Sequence, residues 1–361
     1  MTPAVSVAVM AGAALAALVL ADVLSGVLRA LALRHGLTDR PGPHRAHVRP
    51  TPYLGGVAIV IGTLVPVAVV LPRWATHVGV IAAAGVVVAA LGLFDDIRSL
   101  TPSSRLLVEG LAATAVVMSS GGIEVFGGWV DPVATGLWIV IITNSFNLLD
   151  NMDGAAATVA AVTSGFLAGA AYMTDQTGLA LLLLTLSAGC LGFLIHNWAP
   201  ARMFMGDAGS LFIGFAIAAA AVSIDVPGGA GTRIAELLLV TFVATVDTCL
   251  VIISRHRAGR SWLTGGTDHV SHRLRRLGWS VRQVSLTLLV ATAVPCLCGV
   301  LVAGQRLPGL GALGAGVAVA VALVWLLLKV PGYAVPLEPV GAPAVPRRPS
   351  PMPADHSVPL V

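Results

Sequence analysis

Three short acidic stretches carry residue types from which a cation and phosphate site could be built. Asp95 and Asp96 stand side by side in LGLFDDIRSL, and two adjacent anions repel unless a cation or a proton intervenes. In NSFNLLDNMDG, Asn144, Asn147 and Asp150 recur every third residue and Asp153 continues the series. One face of a helix end therefore offers four polar side chains, with apolar residues filling the gaps. Asn and Asp oxygens are hard ligands that suit Mg²⁺, which usually completes its shell with water and substrate phosphates. In FMGDAGS, residues 204 to 210, Gly206 and Gly209 let the backbone approach a ligand closely, and Asp207 stands just before a helix start. Two stretches rich in Arg and His, residues 39 to 56 and 254 to 278, offer bidentate and single hydrogen bonds to phosphate. Each feature also has a plain reading. Asp95 and Asp96 could be solvated helix-end carboxylates beside Arg98 and Arg105, Asp153–Gly154 a cap and turn, and Arg275 and Arg276 ordinary flanks of a membrane span.

The elements that must position these groups are membrane helices. Of 361 residues, 57% are hydrophobic and only 11% charged, less than half the charged share of about 25% in soluble proteins, and mean hydropathy is +0.90. These values exclude a soluble multidomain chain. A bilayer core of ~30 Å takes ~20 apolar residues as helix, and on that rule the chain divides into eleven candidate spans, among them Tyr53–Leu71, Ser103–Ser120 and Ile234–Ile253. The expected class is therefore an all-α polytopic integral membrane protein of about 10–11 transmembrane helices. Its transmembrane domain covers residues 1–330, and a Pro-rich cytosolic tail, expected to be disordered, covers 331–361. Arg29, Arg34, Arg40, Arg45 and Arg49 follow the first apolar run and none precedes it, which places the N-terminus outside. Alternation then leaves only Arg73, Arg233 and Arg306 in external loops, a heavy positive-inside bias. The same arginine bias accounts for the net charge of +4, so no nucleic-acid partner is implied. Gly121–Asp131 reads as a small external hairpin. The four cysteines lie in apolar runs without metal or redox spacing.

On this map Asp39, Asp95, Asp96, Asp150, Asp153, Asp207, Asp247 and Asp268 all fall on or next to the inner face. Internal loops are too short to fold alone, so any active site consists of helix ends and loops at the cytosolic surface. Carboxylates and amides for a divalent cation, with arginines and histidines for phosphate, suit phosphoryl transfer between a soluble nucleotide donor and a lipid acceptor. A secondary transporter is the alternative from another class. It would place such groups near the bilayer midplane, often in repeated halves, and no repeat is visible.

The same residues resemble the polyprenyl-phosphate N-acetylhexosaminyl-1-phosphate transferases, the superfamily that includes undecaprenyl-phosphate GlcNAc-1-phosphate transferase and phospho-MurNAc-pentapeptide translocase. The likeness runs from Asp39 to about Gly278 through five motifs in order: D-x-P with H-x-x-P-x-P-x-x-G-G, LGLFDD, N-x-x-N-x-x-D-x-x-D-G, N-x-x-P-x-x-x-FMGD-x-G-S, and a His-rich last cytosolic loop. The resemblance implies Asn147 and Asp207 as Mg²⁺ ligands, Mn²⁺ being an acceptable substitute, with Asp150 close by. It implies Asp95 and Asp96 as the catalytic pair that activates or positions a lipid phosphate. Asn197, Phe204 and Asp153 would surround a uracil, His269, His272 and Arg273 would grip the sugar and diphosphate, and Arg45, His47 and Asn144 complete the substrate-binding set. The implied partners are a UDP-sugar, polyprenyl phosphate and the plasma membrane, with a homodimer left open. Three departures bear on the sugar more than on the reaction. A usual lysine is Arg45, the last loop reads His269-Val270-Ser271-His272, and D-G-x-D-G has become Asp150-Asn151-Met152-Asp153-Gly154.

Overall fold

A computed structural model describes residues 5–39, 51–71, 74–261 and 266–332. The described chain is a bundle of thirteen helices: α1 (Val7–His35), α2 (Gly55–Val70), α3 (Thr76–Ile97), α4 (Pro102–Ser120), α5 (Val130–Leu149), α6 (Ala155–Met173), α7 (Thr177–Asn197), α8 (Gly206–Ser223), α9 (Ala230–Val240), α10 (Phe242–Arg257), α11 (Val270–Arg276), α12 (Val281–Ala303) and α13 (Gly309–Leu328). A two-residue antiparallel ladder, β1 (Thr38–Asp39) with β2 (Thr51–Pro52), closes the segment between α1 and α2. Eight helices are long and apolar enough to cross a bilayer, and nine spans result if α9 and α10 count as one. The eleven spans read from the sequence all appear as helices or as this bent pair, but α2 is short at 16 residues and α4 is too polar to pass the same test.

α8 sits at the centre. Its run of Gly, Ala and Phe is buried almost throughout and packs on α2, α3 and α5. Membrane helices lack a hydrophobic drive toward one another and associate through close van der Waals packing, which small residues permit. The tightest approach is α2 to α8, where a Cβ added at Gly56 would stand 2.1 Å from the Gly209 nitrogen. The approach continues into the loops: Gly55 N donates to Phe204 O (3.0 Å), Gly56 N to Met205 O (2.8 Å) and Phe204 N to Pro52 O (2.8 Å). This backbone zipper fixes the start of α8 against the start of α2.

Two expectations are corrected. The span read as Ile234–Ile253 is two helices that meet at Thr241 with a bend of 77°. No proline causes the break. Thr241 Oγ1 bonds back to Leu237 O at 2.7 Å, competing with the backbone ladder. The Val240 carbonyl is met instead by Cys296 Sγ (3.6 Å) from α12 and Thr163 Oγ1 (3.4 Å) from α6. Neighbouring side chains that re-satisfy freed groups are what makes a broken helix tolerable in a membrane. Gly121–Asp131 forms no hairpin. Its four paired glycines all adopt positive φ, and the Asp131 carboxylate ties the turn by accepting from Phe126 N (2.7 Å) and Gly127 N (2.9 Å).

Candidate active site

The ends of α3 and α5 and the starts of α4 and α8 converge at one end of the bundle. Asp95 and Asp96 close α3, yet they face different partners. Asp95 Oδ1 accepts from Leu100 N at 2.5 Å, which closes the corner into α4, and Oδ2 accepts from Arg105 at 2.7 Å. Asp96 accepts from Asp207 N (2.9 Å) and Ala208 N (3.2 Å), so its carboxylate caps the first turn of α8 and sits at the positive end of that helix. Gly206 has to be glycine at this junction. Its φ is +68°, and an added Cβ would stand 2.5 Å from Asp96 Oδ2 and 2.8 Å from Tyr53 O.

Asp207 and Asn147, paired in the reading that the resemblance implies, lie in hydrogen-bond contact. Asn147 Nδ2 donates to Asp207 Oδ1 and to Ser210 Oγ, both at 2.9 Å. Arg105 spans the cluster: Nη1 reaches Asp95 (2.7 Å) and Asp207 (3.0 Å), and Nη2 donates to Asn147 Oδ1 at 3.4 Å. Asp150 caps α5 beside this group. Burial, followed by the nearby carboxylates of Asp207, Asp96 and Asp153, pushes its carboxyl up to about 8. Among the described residues no three His, Cys, Asp or Glu side chains converge on a point where they alone could hold a metal. The donor set instead suits an ion bound by one or two protein oxygens and completed by substrate phosphates, the usual habit of Mg²⁺. A guanidinium already lies between two carboxylates here, so the surroundings favour positive charge. On this chemistry Asp207 and Asn147 fit a magnesium ion.

A second group flanks the first. Asn197, at the end of α7, accepts from Gly154 N (2.9 Å) and donates to Met203 O (2.9 Å), linking the α5–α6 corner to the loop before α8. Asp153 accepts from Ala201 N at 2.9 Å in the same loop. Phe204 lies in the backbone zipper described above and is only partly buried. The last loop approaches from the other side, where Ser271 Oγ donates to Asn151 Oδ1. His269 Nδ1 bonds to Asp247 Oδ2 at 2.8 Å, and Asp247 Oδ1 accepts from Val270 N at 2.7 Å, so one buried aspartate of α10 orients both the imidazole and the start of α11. The rings of His269 and His272 are 5.7 Å apart. Burial, then His269 and Arg276, hold His272 down at about 4, so at neutral pH it can both donate and accept.

Arg273 stands apart from its neighbours in the motif. It is 1% exposed and donates to Asp268 O (3.0 Å), Ser254 Oγ (2.7 Å), Leu327 O (2.8 Å) and Val330 O. Its guanidinium caps the carbonyl end of α13 and ties that helix to the His269–His272 loop. Asn144 faces α4, where Nδ2 donates to Glu109. Arg45 and His47 lie outside the described residues.

Sequence reasoning mentioned Arg105 only as a neighbour of the aspartates and passed over Glu109 and Ser210. The available signal was the spacing of Arg105 and Glu109, four residues apart in a span less apolar than the rest.

The fold and site define a polytopic membrane protein in which two carboxylates, an amide and a guanidinium meet at joined helix ends. Glycosyl transferase family 4 matches residues 78–225. The chain is 39% identical over 334 residues to a Streptomyces coelicolor protein named by class as a glycosyltransferase, covering 89% of this chain and 77% of that one. It is 31% identical to the decaprenyl-phosphate N-acetylglucosaminephosphotransferase of Mycolicibacterium smegmatis, with 87% of each chain covered. It is 32% identical to the phospho-N-acetylmuramoyl-pentapeptide-transferase of Desulforudis audaxviator, over 85% of this chain and the whole of that one. The chain belongs to glycosyl transferase family 4 and is a phosphoglycosyl transferase. The transporter alternative is thereby set aside.

Proposed function

We propose that this enzyme transfers HexNAc-1-phosphate, with GlcNAc as the first choice of sugar, from a UDP-sugar to polyprenyl phosphate. An oxygen of the lipid phosphate attacks the β-phosphorus of the donor, the bond from that phosphorus to the bridging oxygen breaks, and UMP leaves. The products are polyprenyl-diphosphate-HexNAc and UMP. One observation carries the reading: Arg105, Asp95, Asn147 and Asp207, from four helices, meet in one hydrogen-bonded cluster.

In this reading Asp207 and Asn147 hold Mg²⁺, which when bound offsets negative charge on the diphosphate and on the departing UMP. Asp95 faces the incoming lipid phosphate and Asp96 fixes the α8 start, so the pair orients both reactants. Arg105 turns from the carboxylates to phosphate oxygens, for which a guanidinium is equally suited. Asn197, Asp153 and Phe204 shape the nucleoside side, and His269 and His272, the former held by Asp247, contact the sugar diphosphate. The arginine distribution supports a cytosolic site in the plasma membrane. The GlcNAc preference rests on the HVSHRL loop and on the Mycolicibacterium smegmatis relative named as a decaprenyl-phosphate N-acetylglucosaminephosphotransferase.

Purified protein supplied with polyprenyl phosphate and Mg²⁺ is expected to release UMP from UDP-GlcNAc, and at least tenfold more slowly from UDP-MurNAc-pentapeptide, a discrimination of order 1.4 kcal/mol. UMP release from UDP-MurNAc-pentapeptide alone would move the sugar assignment to the class of the Desulforudis audaxviator relative, and release from neither donor would overturn the proposal.

A further inference from the structure

Glu109 lies one helical turn beyond Arg105 on α4 and is 1% exposed. A carboxylate is costly to bury unless it is partnered. One of its oxygens accepts from Asn144 Nδ2 of α5, while Oε1 is buried with no hydrogen-bond partner among the described residues. α4 and α5 meet in antiparallel register, so Arg105 reaches Asn147 and, a turn further along α4, Glu109 reaches Asn144.

The orientation of the Asn144 amide follows from its partners. Nδ2 donates both to Glu109 and to Val140 O, the latter at 3.0 Å. Both partners accept, so the nitrogen has to face them and Oδ1 has to face away. Without Glu109 the amide would be held only by a carbonyl of its own helix and could turn over.

We infer that Glu109 is a positioning residue that locks the amide of Asn144, so that Oδ1 is presented as a hydrogen-bond acceptor to the nucleotide-sugar donor. The inference rests on the transferase reading above. An amide oxygen either coordinates a cation or accepts a hydrogen bond. With Asp207 and Asn147 assigned to the cation, Asn144 Oδ1 is left to accept from a substrate. An ionised polyprenyl phosphate offers no donor group, whereas a UDP-sugar carries hydroxyl and amide N–H groups. Glu109 therefore acts on the donor substrate and not on the lipid.

The test compares E109M, E109Q, N144A and the E109M/N144A double variant by steady-state UMP release, varying UDP-GlcNAc and polyprenyl phosphate separately. E109M keeps the buried volume and removes the acceptor. It is expected to raise the KM for UDP-GlcNAc on the order of 10- to 100-fold, the scale of a misplaced binding group, and to leave the KM for polyprenyl phosphate unchanged. Its thermal midpoint should equal or exceed that of the wild type, because an apolar side chain replaces a buried charge. E109Q retains an oxygen that accepts from Asn144 and should stay within about threefold of wild type, a loss below the value of one net hydrogen bond. The double variant should be no worse than N144A, since the loss of Glu109 is felt only through Asn144. E109A makes the same comparison if E109M fails to fold. A wild-type KM for UDP-GlcNAc in E109M or E109A, or losses that multiply in the double variant, would overturn the inference alone. A wild-type enzyme without UMP release would overturn the transferase reading and the inference with it.

Discussion

Asp207→Ala is expected to lower the rate of UMP release by on the order of 10³-fold or more, the scale of losing a centre that stabilises transition-state charge. Asp207 joins α8 to the site through three contacts: its carboxylate accepts from Asn147 and Arg105, and its backbone N–H donates to Asp96. Alanine keeps the backbone contact and removes the other two. The side chain is 31% exposed, so little packing is lost, and the variant should match the wild type in detergent-solution helicity and thermal midpoint. Raising Mg²⁺ should not restore it. Comparison of kcat at saturating substrates checks the expectation, and a loss under tenfold would remove Asp207 from the centre.

Arg105→Ala is expected to separate two properties that simple loss of fold would lower together. The guanidinium sits between Asp95 and Asp207. Without it the local charge becomes more negative, so the affinity for Mn²⁺ or Mg²⁺ in the absence of nucleotide should rise. The affinity for phosphate-bearing substrates should fall, and kcat/KM with it, by on the order of 10²-fold for a charge-assisted bidentate contact. Arg105→Lys keeps the charge and loses the fork, which places it between the two. Manganese binding followed by electron paramagnetic resonance, read beside steady-state kinetics, measures both arms. Weaker cation binding in Arg105→Ala would mean that the guanidinium does not compete for the ion position.

How far the site was legible in the sequence depended on which force placed each residue. The threefold spacing of Asn144, Asn147 and Asp150 puts them along one side of a helix end, which helical period alone decides. Their partners come from other helices: Asn147 meets Asp207 of α8 and Asn144 meets Glu109 of α4. The division of labour between Asp95 and Asp96 was not legible. It depends on Gly206 bringing the N-terminus of α8 within hydrogen-bond reach of α3, a contact between residues 111 apart in the chain. Glu109 was hidden in a span where one carboxylate among apolar residues has no local meaning, and only its pairing with Asn144 across two helices gives it one. Arg273 shared a motif with two histidines, but motif adjacency does not set direction. In α11 its side chain turns to the carbonyls ending α13. The bend at Thr241 escaped notice because hydropathy runs unbroken through residues 234–253, and the groups that make the break tolerable, Thr163 and Cys296, come from other helices.

Phosphate bookkeeping by isotope tests the reaction most directly. UDP-GlcNAc carrying ³²P in its β-phosphate is incubated with the purified protein, Mg²⁺ and polyprenyl phosphate, and the organic and aqueous phases are separated. Transfer of sugar together with its phosphate predicts that the label moves into the organic phase as polyprenyl-diphosphate-GlcNAc while unlabelled UMP accumulates in equal amount. Label retained in the aqueous phase as UDP, with sugar alone on the lipid, would contradict attack at the β-phosphorus and with it the role assigned to the Asp95, Arg105, Asn147 and Asp207 cluster.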